Sequence, residues 1–474
     1  MLNEKKISHD EKEPTFFSSL IAFILSVSVI MIGILYFGLD PHIPLVFATA
    51  VAFLYGTYLR IPAFEIESKM IETCAESMNA MLIILVIGML IAGWMSSGTV
   101  PYLVYVGLQT VNPKWFLPFV ILMCALLSSI TGSSWTTIGT IGVAFIGISI
   151  GLGIPVGITA GAVASGAFFG DKQSPISDFA IFASGVTKVN IYKHCRNMLY
   201  TTGPALIIST IIFGIIGLQY SAESIDMAQI DIIRNGLAEQ FKFSLIVLIP
   251  LIALILTIVL KLPGTASLFI GAFVGILVGI FYQGFELGPT LNTLFAGFVV
   301  DSNIEEITRI CNRGGIMSMM YTLAIMACSL SMAGVFERTK ILSKIVEKLE
   351  VVVKRRVGLI VATLVTGVGL SYFACDPYIA AIIPAKAFEH KYKELGLDMT
   401  VLSRTISDGG VNIAPIVPWG SSGVFTSTSL GVPVLQFLPF YFMGPLTIIM
   451  AIVSAITGWG IIHHDYSLEE SDLA

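Results

Sequence analysis

Charge is missing from most of this chain, and its spacing decides what the chain can fold into. No Asp, Glu, Lys or Arg occurs from Trp115 to Gly170, or again from Gly409 to His464. Further uncharged runs cover Pro14–Leu39, Pro41–Leu59, Ser77–Pro113, Asn197–Ala222, Phe243–Leu260, Leu262–Phe285, Gly314–Phe336 and Val357–Cys375. A helix that crosses a bilayer needs about 20 mostly apolar residues. The pattern therefore predicts an all-α polytopic membrane protein with roughly 10 to 13 transmembrane or re-entrant helices. Only 12% of the residues are charged, against about a quarter in soluble domains, which argues against a large soluble protein.

Met1–Glu13 is polar and mixed in charge, and the apolar stretch behind it is too long for the core of a signal peptide. It reads as a cytosolic tail, residues 1–15, ahead of a true first span. Lys and Arg mark the cytosolic side of membrane proteins. Lys5, Lys6 and Lys12 put the N-terminus inside, and Arg60 and Lys69 do the same for the loop after the second span. Glu337–Arg356, with seven basic residues, is the strongest cytosolic signal. Gln219–Lys242 carries Glu223, Asp226, Asp231 and Glu239 and is expected outside. Charge alone leaves open the side of the segment with Lys386, Lys391, Lys393 and Arg404. The six cysteines form no CxxC pair and are expected as reduced packing thiols, with neither a disulfide framework nor a metal site.

The two halves of the chain look alike. Ile71-Glu-Thr-Cys74 matches Thr308-Arg-Ile-Cys311, Ser97-Gly-Thr-Val100 matches Ala333-Gly-Val-Phe336, Ser174-Pro-Ile176 matches Ala414-Pro-Ile416, and Gly203-Pro204 matches Gly444-Pro445. Four collinear matches at offsets of 236 to 241 residues point to an internal duplication. Gly98–Lys114 holds one Lys and reads as external, whereas its counterpart Glu337–Arg356 reads as cytosolic. The repeats are therefore expected to be inverted, an architecture that puts the site near the midplane on broken helices. The expected division is a first repeat at 16–218, an external linker at 219–242, a second repeat at 243–462 and a cytosolic tail at 463–474.

Four acids fall inside apolar surroundings: Asp171, Asp178, Asp376 and Asp408. An ionised carboxylate at bilayer depth costs several kcal/mol by most estimates, so each is a functional candidate. Glycine or proline sits close to three of them, in Gly170-Asp171, Asp376-Pro377 and Asp408-Gly409-Gly410. Irregular backbone at that depth is tolerated where it is buried in protein or lines a wet cavity. Sodium is a hard cation that favours oxygen ligands, and a poorly solvated carboxylate binds a proton more readily than one in water. A group that takes Na⁺ or H⁺, but not both, gives exchange without further machinery. Ser134, Thr136, Ser174, Ser177, Asn412, Ser421 and Ser422 are the expected oxygen ligands around Na⁺ at the four aspartates. The competing reading pairs Asp171 with Lys172, or Asp408 with Arg404, as structural ions. The hydroxyl-rich stretch Ser128–Thr137 reads as the unwound middle of a span. Glu65–Asn79 reads as an amphipathic interfacial helix, and His194, between Lys193 and Arg196, as an inert loop residue.

Gly170-Asp-Lys-Gln-Ser-Pro-Ile-Ser-Asp178, Leu402-Ser-Arg-Thr-Ile-Ser-Asp408 and Pro415-Ile-Val-Pro-Trp-Gly-Ser-Ser-Gly423 together resemble the NhaC-type sodium/proton antiporters. The resemblance runs from about Phe16 to Trp459. It implies Na⁺/H⁺ exchange in a bacterial plasma membrane, on inverted repeats with re-entrant hairpins. The same family includes an antiporter that couples malate and proton uptake to the exit of sodium and lactate. The chain departs from the family pattern at Phe179-Ala180, where Thr-Thr is common, at Pro377 for Gln, at Gly420 for Asn and at Ser407 for Glu.

The leading expectation is thus a secondary transporter and not an enzyme, with Na⁺ and H⁺ as transported ions and no cofactor. Both termini are expected in the cytoplasm, the partners are the lipid bilayer and the ions, and a homodimer is compatible. No nucleic-acid partner and no nucleotide-driven step is expected. The rival is malate-2H⁺/Na⁺-lactate exchange, in which Lys172, Lys386 or Arg404 would hold the anion. Two further readings are weaker. A passive channel would not need paired ionisable acids. An intramembrane serine protease built on Gly420-Ser-Ser-Gly423 would need a histidine base within hydrogen-bond reach.

Overall fold

The computed structural model describes residues 11–220, 227–374, 376–464 and 466. Residues 1–10 and 467–474 of the expected tails, Glu223 and Asp226 of the expected linker, and Cys375 lie outside the described residues. Among the described residues the fold is helical, with one isolated β-bridge between Leu397 and His463. The first part of the chain forms α1 (Phe16–Met31), α2 (His42–Tyr58), α3 (Ala63–Glu76) and α4 (Met78–Ser96). Next come α5 (Thr99–Thr110), α6 (Pro113–Thr131), the short α7 (Ser134–Thr137) and α8 (Val143–Gly151). The first half closes with α9 (Val156–Gln173), α10 (Asp178–Val186) and α11 (Ile191–Gly217). Then follow α12 (Met227–Gln240), α13 (Ile249–Val259), α14 (Gly264–Val278), α15 (Leu287–Ala296) and α16 (Glu305–Cys311). The second half holds α17 (Ile316–Arg338), α18 (Ile341–Val352), α19 (Arg356–Phe373), α20 (Pro377–Glu394) and α21 (Met399–Ile406). The chain ends on α22 (Ser421–Leu430), α23 (Val434–Phe437) and α24 (Met443–Thr457).

Among the described residues eight helices are long and apolar enough to cross a membrane, or up to ten if two pairs bent by 89° and 87° each count as one span. The lower part of the expected 10 to 13 is reached only with those pairs. The spare uncharged runs went into helices too short to span alone, such as α2 and α24. The surface is inside-out relative to a soluble protein. Large apolar side chains such as Leu35, Leu54, Ile211, Leu256 and Phe281 are exposed, while Ser26, Ser128, Ser165, Thr322 and Ser454 are buried. Water does not tolerate so wide an apolar surface and lipid does.

Helix order recurs along the chain. Helices α6, α7, α9 and α10 begin at 113, 134, 156 and 178, and α19, α20, α21 and α22 begin at 356, 377, 399 and 421, a constant offset of 243 residues. The segment expected as a linker is largely the helix α12. It buries Ile230, Ile233 and Leu237, and Gln229 Nε2 donates to Glu306 Oε1 at 2.9 Å.

Two local expectations are corrected. The hydroxyl-rich stretch is not the middle of one span: it ends the span-length α6 and starts the next helical run, 134–151. Gly132 at φ 68 makes the turn, and a side chain there would strike the backbone of Ile176 and Ser177. His194 is not in a loop but buried in the first turn of α11, where its Nδ1 lies 2.7 Å from Ser403 Oγ. Lys193 and Arg196 occupy other faces of the same turn.

Candidate functional site

Four helix breaks meet at one place. The first is the Gly132–Ser133 turn, where Ser133 caps α7 by accepting from the Thr136 N–H at 3.1 Å. The second is 174–177, where Pro175 cannot continue α9 and Ser177 caps α10 by accepting from the Phe179 N–H at 3.2 Å. The third precedes α20. Asp376 Oδ1 accepts from the backbone N–H of Tyr378 at 2.8 Å and of Ile379 at 3.0 Å, with Pro377 preset for the first turn. The fourth is 417–420, between Pro418 and the start of α22, where Trp419 Nε1 donates to the Tyr372 carbonyl at 2.7 Å. Residues from all four breaks or the helix ends beside them line a cavity of about 560 Å³.

Among the described residues its walls carry five carboxylates, Glu76, Asp171, Asp178, Glu337 and Asp376, and no Lys, Arg or His. Asp171 ties the two first-half breaks together: Ser134 Oγ donates to Oδ2 at 2.7 Å and Ser177 Oγ donates to Oδ1 at 2.6 Å. Asp376 is 5% exposed. Its Oδ1 is spent on the cap, and its Oδ2 takes no hydrogen bond among the described residues, which leaves it to the cavity. Asp178, the first residue of α10, is exposed at the mouth with Glu76 and Glu337. Lys69 is turned onto Glu337 at 3.1 Å and does not line the cavity.

The other expected residues separate into two groups. Ser421 and Ser422 line the cavity with Ser134. Thr136 does not; its hydroxyl donates to Ser133 Oγ at 3.0 Å. Asp408 lies behind the wall, in a widened turn at Ser407–Val411, fully buried, with Oδ1 accepting from Thr201 Oγ1 at 3.1 Å and Oδ2 unpaired. Near it in sequence or charge are other buried, unsatisfied groups: Lys172 Nζ, Ser174 Oγ and both amide atoms of Asn412. Neither expected structural ion pair forms. Arg404 instead donates to Asn197 Oδ1 at 2.9 Å, to the Gly460 carbonyl at 3.0 Å and to Ser454 Oγ at 2.9 Å. Lys386 is exposed on α20, away from the cavity wall.

Sequence reasoning missed Glu76 and Glu337, which sit in charged surface segments and looked merely solvated. It also missed the ring-bearing wall made by Trp135, Phe168, Phe179, Phe182 and Tyr378. Among the described residues no three His, Cys, Asp or Glu side chains converge enough to hold a metal ion by themselves. A monovalent cation here would draw on the carboxylates together with hydroxyls and backbone carbonyls freed by the breaks.

A bundle that faces lipid, breaks its helices in both halves and gathers the breaks around a carboxylate-lined cavity is a multi-pass membrane transporter. The chain belongs to the Na⁺/H⁺ antiporter family, whose model matches residues 12–178 and 166–459. It is 35% identical to the Na⁺/H⁺ antiporter NhaC of Alkalihalophilus pseudofirmus, over 95% of this chain and 97% of that one. It is 32% identical to the malate-2H⁺/Na⁺-lactate antiporter of Bacillus subtilis, over 95% of this chain and 96% of that one. It is 33% identical to the arginine/ornithine antiporter ArcD of Halobacterium salinarum, over 96% and 94%.

Proposed function

We propose that this protein exchanges Na⁺ for H⁺ across the plasma membrane. The observation that carries the reading is the lining of the cavity: five carboxylates and no basic side chain among the described residues. Such walls attract cations and repel anions. In the cycle, Asp171 and Asp376 hold a proton when the cation is absent. Na⁺ takes the proton's place with oxygen from Ser134, Ser421 and Ser422, and the proton leaves. Asp178 and Glu76 raise the cation concentration at the mouth, where Glu337 is held by Lys69. Because Glu337 opens the segment Glu337–Arg356 with its seven Lys and Arg, and Glu76 follows Arg60 and Lys69, the cavity in this conformation opens to the cytoplasm. The recurring helix order supports two repeats; their opposite orientation and the placing of both termini inside rest on the Lys and Arg of the loops.

Malate–lactate exchange, the activity named for one relative, is the weaker reading. A dicarboxylate would need a cation in the cavity, and none of Lys172, Lys386 and Arg404 lines it. The test is purified protein in proteoliposomes with a trapped pH dye. Na⁺ added in the absence of any carboxylate should dissipate an imposed pH gradient, and malate or lactate should change nothing. No Na⁺-driven pH change without malate or lactate would overturn the proposal.

A further inference from the structure

The cavity is far larger than a partly dehydrated Na⁺ requires. At about 560 Å³ it falls in the range of sites for small organic ligands, ~300–1,000 Å³. Part of its wall is aromatic in a specific way. Phe179 and Phe182 of α10 and Tyr378 of α20 form a triad, with ring centroids 6.1 Å apart for the two phenylalanines, 5.7 Å for Phe179–Tyr378 and 4.9 Å for Phe182–Tyr378. All three line the cavity, and each helix starts with an acid beside it: Asp178 opens α10 and Asp376 caps α20. Asp376, 5% exposed, lines the same space, and its Oδ2 takes no hydrogen bond among the described residues. Oxygen-ligated sodium gains little from three rings. An ammonium head on a carbon body gains from ring faces and carboxylate together, as in the aromatic cages that recognise quaternary ammonium groups.

We propose that the cavity also binds a small organic ammonium ion, with the charged head between Asp376 and Asp178 and the apolar body against Phe179, Phe182 and Tyr378. This rests on the cation-selective reading of the same cavity. Phe179 and Pro377 line the cavity and add apolar surface where the body would lie.

The probes are choline and its uncharged isostere 3,3-dimethylbutan-1-ol, with the full-length protein in proteoliposomes. Radiolabelled choline should bind saturably, be displaced by Na⁺ and resist displacement by the alcohol. Phe182→Leu combined with Tyr378→Leu should weaken choline binding roughly tenfold while shifting Na⁺ half-saturation less than about twofold. Phe182→Trp, which keeps a ring, should retain binding. Absence of saturable choline binding, equal competition by the alcohol, or leucine variants that bind choline as wild type does would each overturn the proposal. Na⁺-driven pH change recorded in the same vesicles separates the two failures. Exchange without choline binding removes only the ammonium site, and choline binding without exchange removes the antiport reading.

Discussion

Replacing Asp171 by Asn tests the ion site most directly. The carboxylate accepts a hydroxyl on each oxygen, from Ser134 at 2.7 Å and Ser177 at 2.6 Å. Asn is close to isosteric but turns one acceptor into a donor, so one of the two serines must rotate away. A hydrogen bond to a charged group contributes about 1.5–3 kcal/mol and a neutral one about 0.5–1.5, so the fold should lose about 1–2 kcal/mol. The loss to the ion is larger. Two unit charges about 4 Å apart at an effective dielectric near 20 attract by about 4 kcal/mol, close to a thousandfold in affinity. The hydroxyls that remain soften this. We expect Asp171→Asn to raise Na⁺ half-saturation by at least ~100-fold in the proteoliposome assay, with a modest fall in thermal stability in detergent. Asp178→Asn, at the exposed mouth, should slow entry and leave exchange in place. A half-saturation for Asp171→Asn within about threefold of wild type would remove Asp171 from the site.

Other predictions address the frame around it. Gly166 and Gly170 bring α9 against α6 so closely that a Cβ on Gly170 would strike the backbone at Ser128 and Ser129. Gly170→Val should therefore cost about 1–3 kcal/mol by overpacking, read as a lower melting temperature and weaker expression. Arg404→Lys keeps the charge but cannot bridge Asn197, Ser454 and the Gly460 carbonyl at once. It should destabilise by about 1–3 kcal/mol in the same thermal assay. Lys172 and Asp408 are both buried and close enough to feel each other's charge. Removing one partner of a buried pair costs about 3–5 kcal/mol. Lys172→Met with Asp408→Asn should thus be more stable than the two single losses added together, and strict additivity would show that the two charges do not interact.

The breaks were legible in sequence because Gly and Pro sit beside three of the acids, and Pro377 and Gly132 are better placed at a helix end than in a helix interior. What local reading could not supply was which break faces which. Asp408 sits four residues after Arg404, the spacing of an ion pair on a regular helix. The turn at Ser407–Val411 is widened, which takes Asp408 off that face, and Arg404 reaches α11 and α24 instead. His194 was misjudged from its charged neighbours. The buried set His194, Asn197, Met198 and Thr201 repeats at helical spacing, and that period was available in the sequence. Glu76 and Glu337 carry no local mark at all: they become cavity residues only because α3 packs on α17, where Gly334 lets the backbone of Lys69 and Met70 approach.

The contacts around the cavity differ in kind within and between the halves. Within the first half, Asp171 hydrogen-bonds to both of its breaks through Ser134 and Ser177. Within the second, Trp419 ties the break before α22 to Tyr372 at the end of α19. Between the halves, rings meet rings at the cavity wall, where Trp135 stacks on Phe425 at 4.8 Å and Phe179 and Phe182 lie against Tyr378, while hydrogen bonds cross behind it from Thr201 to Asp408, from Arg404 to Asn197 and between His194 and Ser403. A hydrogen bond is directional and is lost over a fraction of an ångström, whereas stacked and edge-on rings tolerate a range of offsets at small cost. In the proposed cycle the ring contacts at the cavity can slide, whereas the hydrogen bonds behind it, from Thr201 to Asp408 and from Arg404 to Asn197, must break or travel with both halves. Asp171 keeps both hydroxyl partners through such a movement, because Ser134 and Ser177 lie in its own half.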